Sequence, residues 1–220
     1  MPDLDTQLHL EMLRTYKHEN SFARRVRRAV REMVTPAKIY GLQWGDPEVS
    51  GPQIYMRDHY VTPYLNPDHV ALEIGPGGGR WTRYLLNFRE LYVIDHHQEI
   101  LKELRMHFDR CNMHFIVNNG TDFPGVPDRS VRFIISIACF VHLEPHLVEA
   151  YLQSMRRILH PGGNIVLTYA DKTKVGGQIN HTFGENTPER MRAMVTNAGY
   201  RIVEEDLTVL WNSGIIRFTR

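Results

Sequence analysis

The chain has no long hydrophobic run. No stretch approaches the roughly 18 apolar residues of a membrane span, and the first residues lack the apolar region of a secretory signal. Neither membrane insertion nor export is expected, which leaves the cytoplasm. Cysteine is scarce: Cys111 and Cys139 offer no disulfide framework, and their spacing fits no metal site. Charge of one sign is also missing. With Lys+Arg 26 against Asp+Glu 25, the formal net charge is +1, which argues against a nucleic-acid polymer as obligatory partner. Repeats and low-complexity tracts are absent. At 220 residues and 42% apolar content, the chain suits one well-packed domain with a modest extension and is too short for two ordinary ones.

What is present centres on Ala71-Leu-Glu-Ile-Gly-Pro-Gly-Gly-Gly-Arg-Trp-Thr82. Val70 to Ile74 supply the apolar run of a buried strand, and Gly75, Gly77 and Gly79 permit positive φ and close backbone approach before a helix. Their amides, with those of Pro76's neighbours and Gly78, form a turn suited to a nucleotide-like ligand. Arg80 stands where a dinucleotide G-x-G-x-x-G needs its third glycine, and no lysine follows to make a phosphate-binding loop. Sixteen residues after Gly79, the run Leu91-Tyr-Val-Ile-Asp95 ends in a carboxylate. An adjacent parallel strand would present Asp95 beside the glycine turn, where an acid can accept both hydroxyls of a ribose.

Further apolar runs at Met113 to Val117, Val131 to Ile137 and Asn164 to Ala170 alternate with helical segments, which predicts a parallel α/β sheet. Over Pro145 to His160, the set Leu147, Ala150, Tyr151, Ser154, Met155, Ile158 and Leu159 predicts one helix face against the sheet. Pro161-Gly162-Gly163 ends that helix. Thr187-Pro188 predicts a capped helix stopping near Gly199, and Arg201 to Thr208 with Ile215 to Thr219 predict a hairpin turning at Trp211 to Gly214.

Residues 1–67 read as a helical leader before a domain at 68–220: two helices, a loop over Gly41 to Gly51, and a third helix opening at Pro52. Arg24, Arg25, Arg27, Arg28 and Arg31 crowd one predicted leader helix, taken as a solvated face.

The pattern E-x-G-x-G-x-G, the strand-end Asp95 and Pro161-Gly162-Gly163 before strand five resemble the class I S-adenosylmethionine-dependent methyltransferases over about residues 68 to 220. The resemblance implies a Rossmann-like, seven-stranded, mostly parallel sheet with helices on both faces, one antiparallel strand near its carboxyl end, and here an N-terminal helical extension. It implies S-adenosyl-L-methionine as cofactor and S-adenosyl-L-homocysteine as product. It gives Glu73 the task of ordering the glycine loop or the ligand's methionine portion, and Asp95 the ribose hydroxyls, with His96 and His97 flanking the adenosine. Asn119 aligns with an acid that meets the adenine amine and Gly120 with the small residue after it, followed by Thr121; a one-residue shift would hand the contact to Asp122. Ile137 completes the expected cofactor contacts, and Trp44 is expected as part of a lid or as a plug, buried on either reading. The family pattern departs at Arg132 and at Ala138, where related sequences place acids.

His142, in Phe140-Val-His142-Leu-Glu144 after strand four, is the candidate catalytic residue, as a general base for a hydroxyl. The alternative is a histidine that caps the following helix or packs against the adenine-side loop. His142 and His146 lie four apart with Pro145 between, and no metal is assigned. The expected acceptor is a small molecule, methylated at oxygen, leaning to a sugar or hydroxylated metabolite through Lys172 and His181 in the loop Asp171 to Asn186. No nucleic acid or membrane partner is expected, and a homodimer is left open. The alternatives are an RNA or protein acceptor, or a cofactor-binding protein without catalysis. The lack of an Asn/Asp-Pro-Pro-Tyr-like motif speaks against base amines.

Overall fold

A computed structural model of the protein describes residues 41–220. The arginine-rich leader helix and the first two leader helices expected from the sequence lie outside the described residues. Seven strands form one sheet: β1 (Val70–Ile74), β2 (Glu90–Asp95), β3 (Met113–Val117), β4 (Val131–Ser136), β5 (Leu159–Ala170), β6 (Arg201–Asp206) and β7 (Ser213–Thr219). Their order is β3-β2-β1-β4-β5-β7-β6. β7 alone runs antiparallel to its neighbours, pairing Asn164 with Thr219 through Ala170 with Ser213 on one side and β6 on the other. The expected seven-stranded, mostly parallel sheet is the one found.

β1 lies at the centre, in register with β2 from Val70–Glu90 to Ile74–Ile94 and with β4 from Ala71–Phe133 to Glu73–Ile135. Neighbours on both sides and helices over both faces explain why all five of its residues are buried and why it reads as an apolar run broken only by Glu73. Side chains alternate across the sheet. Val70, Leu72 and Ile74 enter one core with Ile134, Ile165, Tyr151 and Met155, whereas Ala71 enters the other with Val93, Phe133, Trp81 and Tyr60. Full burial of a side chain such as Leu72 contributes about 1.5–3 kcal/mol.

The helices are α1 (Gly51–Met56), α2 (Thr82–Leu85), α3 (Gln98–His107), α4 (Pro145–Ile158), α5 (Val175–Gln178) and α6 (Pro188–Asn197). α1 opens with Pro52 in its first turn, as expected, then relaxes into a wider turn at Arg57–Val61 and a tight one at Thr62–Tyr64. Pro63 lacks the amide that would extend a regular helix there. α6 begins as its sequence predicts, the Thr187 hydroxyl accepting from the Arg190 amide at 3.2 Å.

α4 differs in two respects: it stops at Ile158, so that Leu159 and Pro161-Gly162-Gly163, expected at the helix's end, already belong to β5, and its buried face is turned. Its buried row is Val148, Tyr151, Leu152, Met155 and Ile158, while Leu147, Ala150 and Ser154 are only half-buried at its flank. The expected face is rotated because the larger Val148 and Leu152 side chains take the centre of the contact and the small Ala150 and Ser154 the margin. No helix among the described residues is long and apolar enough to cross a membrane.

Candidate cofactor and methyl-transfer site

The carboxyl ends of β1, β2 and β4 and the start of β7 beside the end of β5 converge on one edge of the sheet. β1 leaves its last residue into the glycine turn, whose Gly75, Gly77 and Gly79 have φ of 69°, 55° and 92°. The turn is held against β2 by the Gly75 amide donating to the Ile94 carbonyl at 2.8 Å, and closed by the Gly79 amide donating to Pro76 at 3.0 Å. Two of these glycines are demanded by packing. A Cβ on Gly75 would lie 2.5 Å from Cys139 Sγ, and one on Gly79 would lie 2.3 Å from Phe108 Cε2.

Glu73 is buried on β1, and its Oε2 accepts from the Thr82 hydroxyl at 2.6 Å. Burial pushes its carboxyl up to about 7, against the pull of the Thr82 hydroxyl and the Arg80 guanidinium. Arg80 is itself buried, its pKa brought down to about 10 chiefly by burial. The residue that spoils the dinucleotide pattern thus faces inward. Its Nη1 donates to the Gly45 carbonyl at 3.2 Å, and Arg83 Nη2 reaches Asp46 Oδ1 at 2.6 Å. Tyr84 donates to Glu48, and Arg57 Nη1 donates to the Pro47 carbonyl at 2.9 Å. The segment from Gly45 to Glu48 is therefore strapped to α2, directly after the glycine turn.

Trp44 does not match the expectation of burial: it is 56% exposed. Gly41 at the left-handed φ of 106° and Gly45 at 111° bracket the short turn Leu42–Trp44 and hold it at the surface beside Arg80.

Asp95 ends β2 and is 8% exposed. Its Oδ1 accepts from the His97 amide at 2.9 Å and lies 3.1 Å from His97 Nδ1, while Oδ2 accepts nothing from the described residues. His96 and His97 are exposed, ring centroids 3.6 Å apart. Opposite, beyond β3, Asn119 Oδ1 accepts from the amides of Thr121 and Asp122 and from the Thr121 hydroxyl at 2.9, 3.1 and 3.2 Å. Asp122 Oδ1 returns the contact by accepting from the Asn119 amide at 2.9 Å. Asn119, expected to face adenine, thus also braces its own loop, with Gly120 at φ 100°.

After β4, Ile137 is 9% exposed, and Ala138 sits at φ 64°, a left-handed conformation a non-glycine residue adopts at a cost. The Ala138 amide donates to the Thr168 hydroxyl at 2.8 Å, and the Ser136 hydroxyl to the Ile74 carbonyl at 2.9 Å. Cys139 follows, its thiol pushed up to about 12 by burial and by the neighbouring Asp95 carboxylate. Sequence reasoning passed over Cys139 and the buried Asn118, whose Nδ2 donates to the Asp122 carbonyl and the Tyr151 hydroxyl at 3.0 and 3.1 Å. The Asn-Asn-Gly triplet was the one available signal for Asn118.

His142 is exposed at this edge. Its Nδ1 lies 3.0 Å from the Thr182 carbonyl oxygen and its ring meets Phe183 edge-on at 5.4 Å. The loop 171–186 is bound to the same stretch by the Gly184 amide on Val141 at 2.9 Å and Asn186 Nδ2 on Leu143 at 2.8 Å. Lys172 is not available as expected: its Nζ reaches the Asn180 carbonyl and Glu185 Oε1, both at 3.3 Å, and it serves the loop itself. A hollow of about 450 Å³ between α4 and α6 is lined by His146, Gln153 and Met194 among others.

Residues 71–163 match the family model described as a methyltransferase domain. The fold is shared with the PH0226 protein from Pyrococcus horikoshii OT3, at TM-score 0.64 and 16% identity over 79% of this chain and 95% of that one. It is shared with an S-adenosylmethionine-dependent methyltransferase from Mesorhizobium loti, at TM-score 0.64 and 11% identity over 79% and 99%. A chain of the Haloferax volcanii complex between a methyltransferase and the Trm112 methyltransferase activator matches at TM-score 0.61 and 16% identity, over 83% and 98%.

The fold is that of a doubly wound α/β enzyme with its ligand edge at the carboxyl ends of the strands. With the matched methyltransferase domain spanning the glycine turn, the strand-end acid and β4, residues 71–163 form a methyltransferase domain within a fold shared with S-adenosylmethionine-dependent methyltransferases. The family implies S-adenosylmethionine as methyl donor, and the residues present fit it chemically. An acid with an unengaged oxygen ends β2, and a buried carboxylate stands behind the glycine turn.

Proposed function

We propose that the enzyme methylates a hydroxyl of a small polar molecule, a sugar or hydroxylated metabolite, in the cytoplasm. In this reading residues 1–67 are a leader over a catalytic domain at 68–220. Gly75 to Gly79 cradle the cofactor, Glu73 orders its methionine portion, Asp95 holds the ribose, and His96, Asn119, Gly120, Thr121, Ile137 and Trp44 surround the adenosine. S-adenosylmethionine supplies a methyl group already activated on a sulfonium, so the chain's main work is to align an acceptor, which in favourable cases contributes about 7–11 kcal/mol.

The observation that carries the hydroxyl reading is the setting of His142. A carbonyl oxygen only accepts, so the Thr182 contact keeps the ring hydrogen on Nδ1 and leaves Nε2 with its lone pair. An exposed imidazole in that tautomer can take a hydroxyl proton. Phe183 holds the ring edge-on, and the anchored loop 171–186 keeps it from swinging away. The test is kinetic. His142→Ala lowers kcat about 10²–10⁴-fold and removes the acid limb of the pH profile, with cofactor affinity retained. His142→Asn keeping most of the activity would assign the residue to orientation. Full activity in both would remove it from the reaction. A second reading, a macromolecular acceptor reached with a partner subunit, draws support from the likeness to the methyltransferase of the Trm112 complex. An acceptor screen with and without RNA and protein substrates separates the two.

A further inference from the structure

Asp95, His96 and His97 gather more donor chemistry at the end of β2 than a ribose requires. A carboxylate oxygen and one ring nitrogen from each histidine lie within 4.8 Å of one another. Asp95 Oδ1 stands 3.1 Å from His97 Nδ1 and 3.6 Å from His96 Nδ1. Two donors bound at about 2.1 Å to one tetrahedral ion are separated by about 3.4 Å, so both spacings already approximate a shared metal. His96 and His97 are adjacent, yet both rings turn toward the carboxylate because the chain bends there, between the last residue of β2 and Gln98 opening α3. The rings are exposed, so water can complete the coordination.

We propose that Asp95, His96 and His97 form a site for a divalent transition-metal cation, and that the cation and the nucleoside end of the cofactor exclude one another there. Two imidazoles with one carboxylate favour zinc, nickel, cobalt or copper over magnesium and calcium, which prefer all-oxygen sets. The ribose hydroxyls and the cation both draw on the Asp95 carboxylate, and a cation held at Oδ1 with His96 and His97 turned onto it would occupy the space that the ribose must enter. The site is thus an inhibitory one, occupied when the cofactor is absent. Its exclusion by cofactor rests on the ribose reading of Asp95; the metal site itself does not.

The chain has 12 histidines, so bulk metal uptake is not diagnostic. Co²⁺ is titrated into the untagged full-length protein and followed by visible absorption, in the wild type, His96→Ala and His97→Ala, each checked for native circular dichroism. The expected result is a saturable band at one equivalent that both variants weaken by about tenfold or more. In wild type, S-adenosylhomocysteine at 100 times its Kd raises the apparent Kd for Co²⁺ about 100-fold, by simple competition. An unchanged band in both folded variants overturns the site. A band that needs both histidines but ignores S-adenosylhomocysteine supports the metal site and overturns the exclusion.

Discussion

The Thr82 hydroxyl donates to Oε2 of Glu73 at 2.6 Å, bridging the glycine turn from its far side. The bond ties the first residue of α2 to a carboxyl that burial pushes from 4.5 up to about 7.

From that shift follows a pH dependence of folding. The native state keeps the Glu73 proton up to about pH 7, whereas the unfolded chain releases it near pH 4.5, so between these values the native state binds more protons. Stability of the ligand-free protein therefore falls as pH rises through this window and levels off above it, by about 3 kcal/mol at 1.36 kcal/mol per unit. Glu73→Gln flattens this fall. Urea denaturation of both proteins across pH 4.5–8 measures it, and an unchanged slope in the Gln variant would place the effect on other groups.

Gly75→Ala puts a methyl group against Cys139 at a backbone angle suited to glycine. Overpacking and left-handed strain together cost about 2–4 kcal/mol, and the loss appears in thermal unfolding without any cofactor. Normal stability with lost cofactor binding would mean that this glycine serves only ligand approach.

These glycines mark the limit of what could be read from sequence. The strands were legible from their apolar runs: Val70–Ile74 at the centre of the sheet and Met113–Val117 at its half-exposed edge both fall where their runs predict. Glu73 and Asp95 were legible as the polar exceptions at strand ends. The partners of Gly75 and Gly79 were not, because Cys139 and Phe108 are distant in sequence and nothing in local spacing reports them. The same holds for Arg80 with Gly45, and for His59, whose Nε2 lies 2.6 Å from Glu204 across 145 residues. The exposure of Trp44 was missed because bulk and apolarity suggest burial, while the flanking left-handed glycines that turn it outward act through backbone geometry.

Asp95→Ala removes charge-assisted bonds, each about 1.5–3 kcal/mol. S-adenosylhomocysteine affinity measured by calorimetry drops roughly 10- to 150-fold at 1.36 kcal/mol per decade. Unchanged affinity would reduce this acid to a cap on the His97 amide.

Asn119 and Asp122 brace each other, so they are expected to act as a pair. Asn119→Asp preserves the acceptor and cofactor affinity, whereas Asn119→Leu and Asp122→Ala both weaken binding. The double-mutant cycle returns a coupling of about 0.5–3 kcal/mol. Additive losses would separate the adenine contact from the brace.

The strap of Gly45 to Glu48 on α2 bears on how the molecule breathes. The amides of Val49 and Ser50 donate to the Asp46 carbonyl at 2.9 and 2.8 Å, and Asp46 is clamped by Arg83. To open this turn the chain must also release Arg80, Arg83, Tyr84 and Arg57 from their partners, so simple fraying does not reach it. In hydrogen exchange the Val49 and Ser50 amides are accordingly expected to trade deuterium in step with the amides of α2. A stretch that precedes the sheet in the chain then shares the lifetime of the glycine turn's own support.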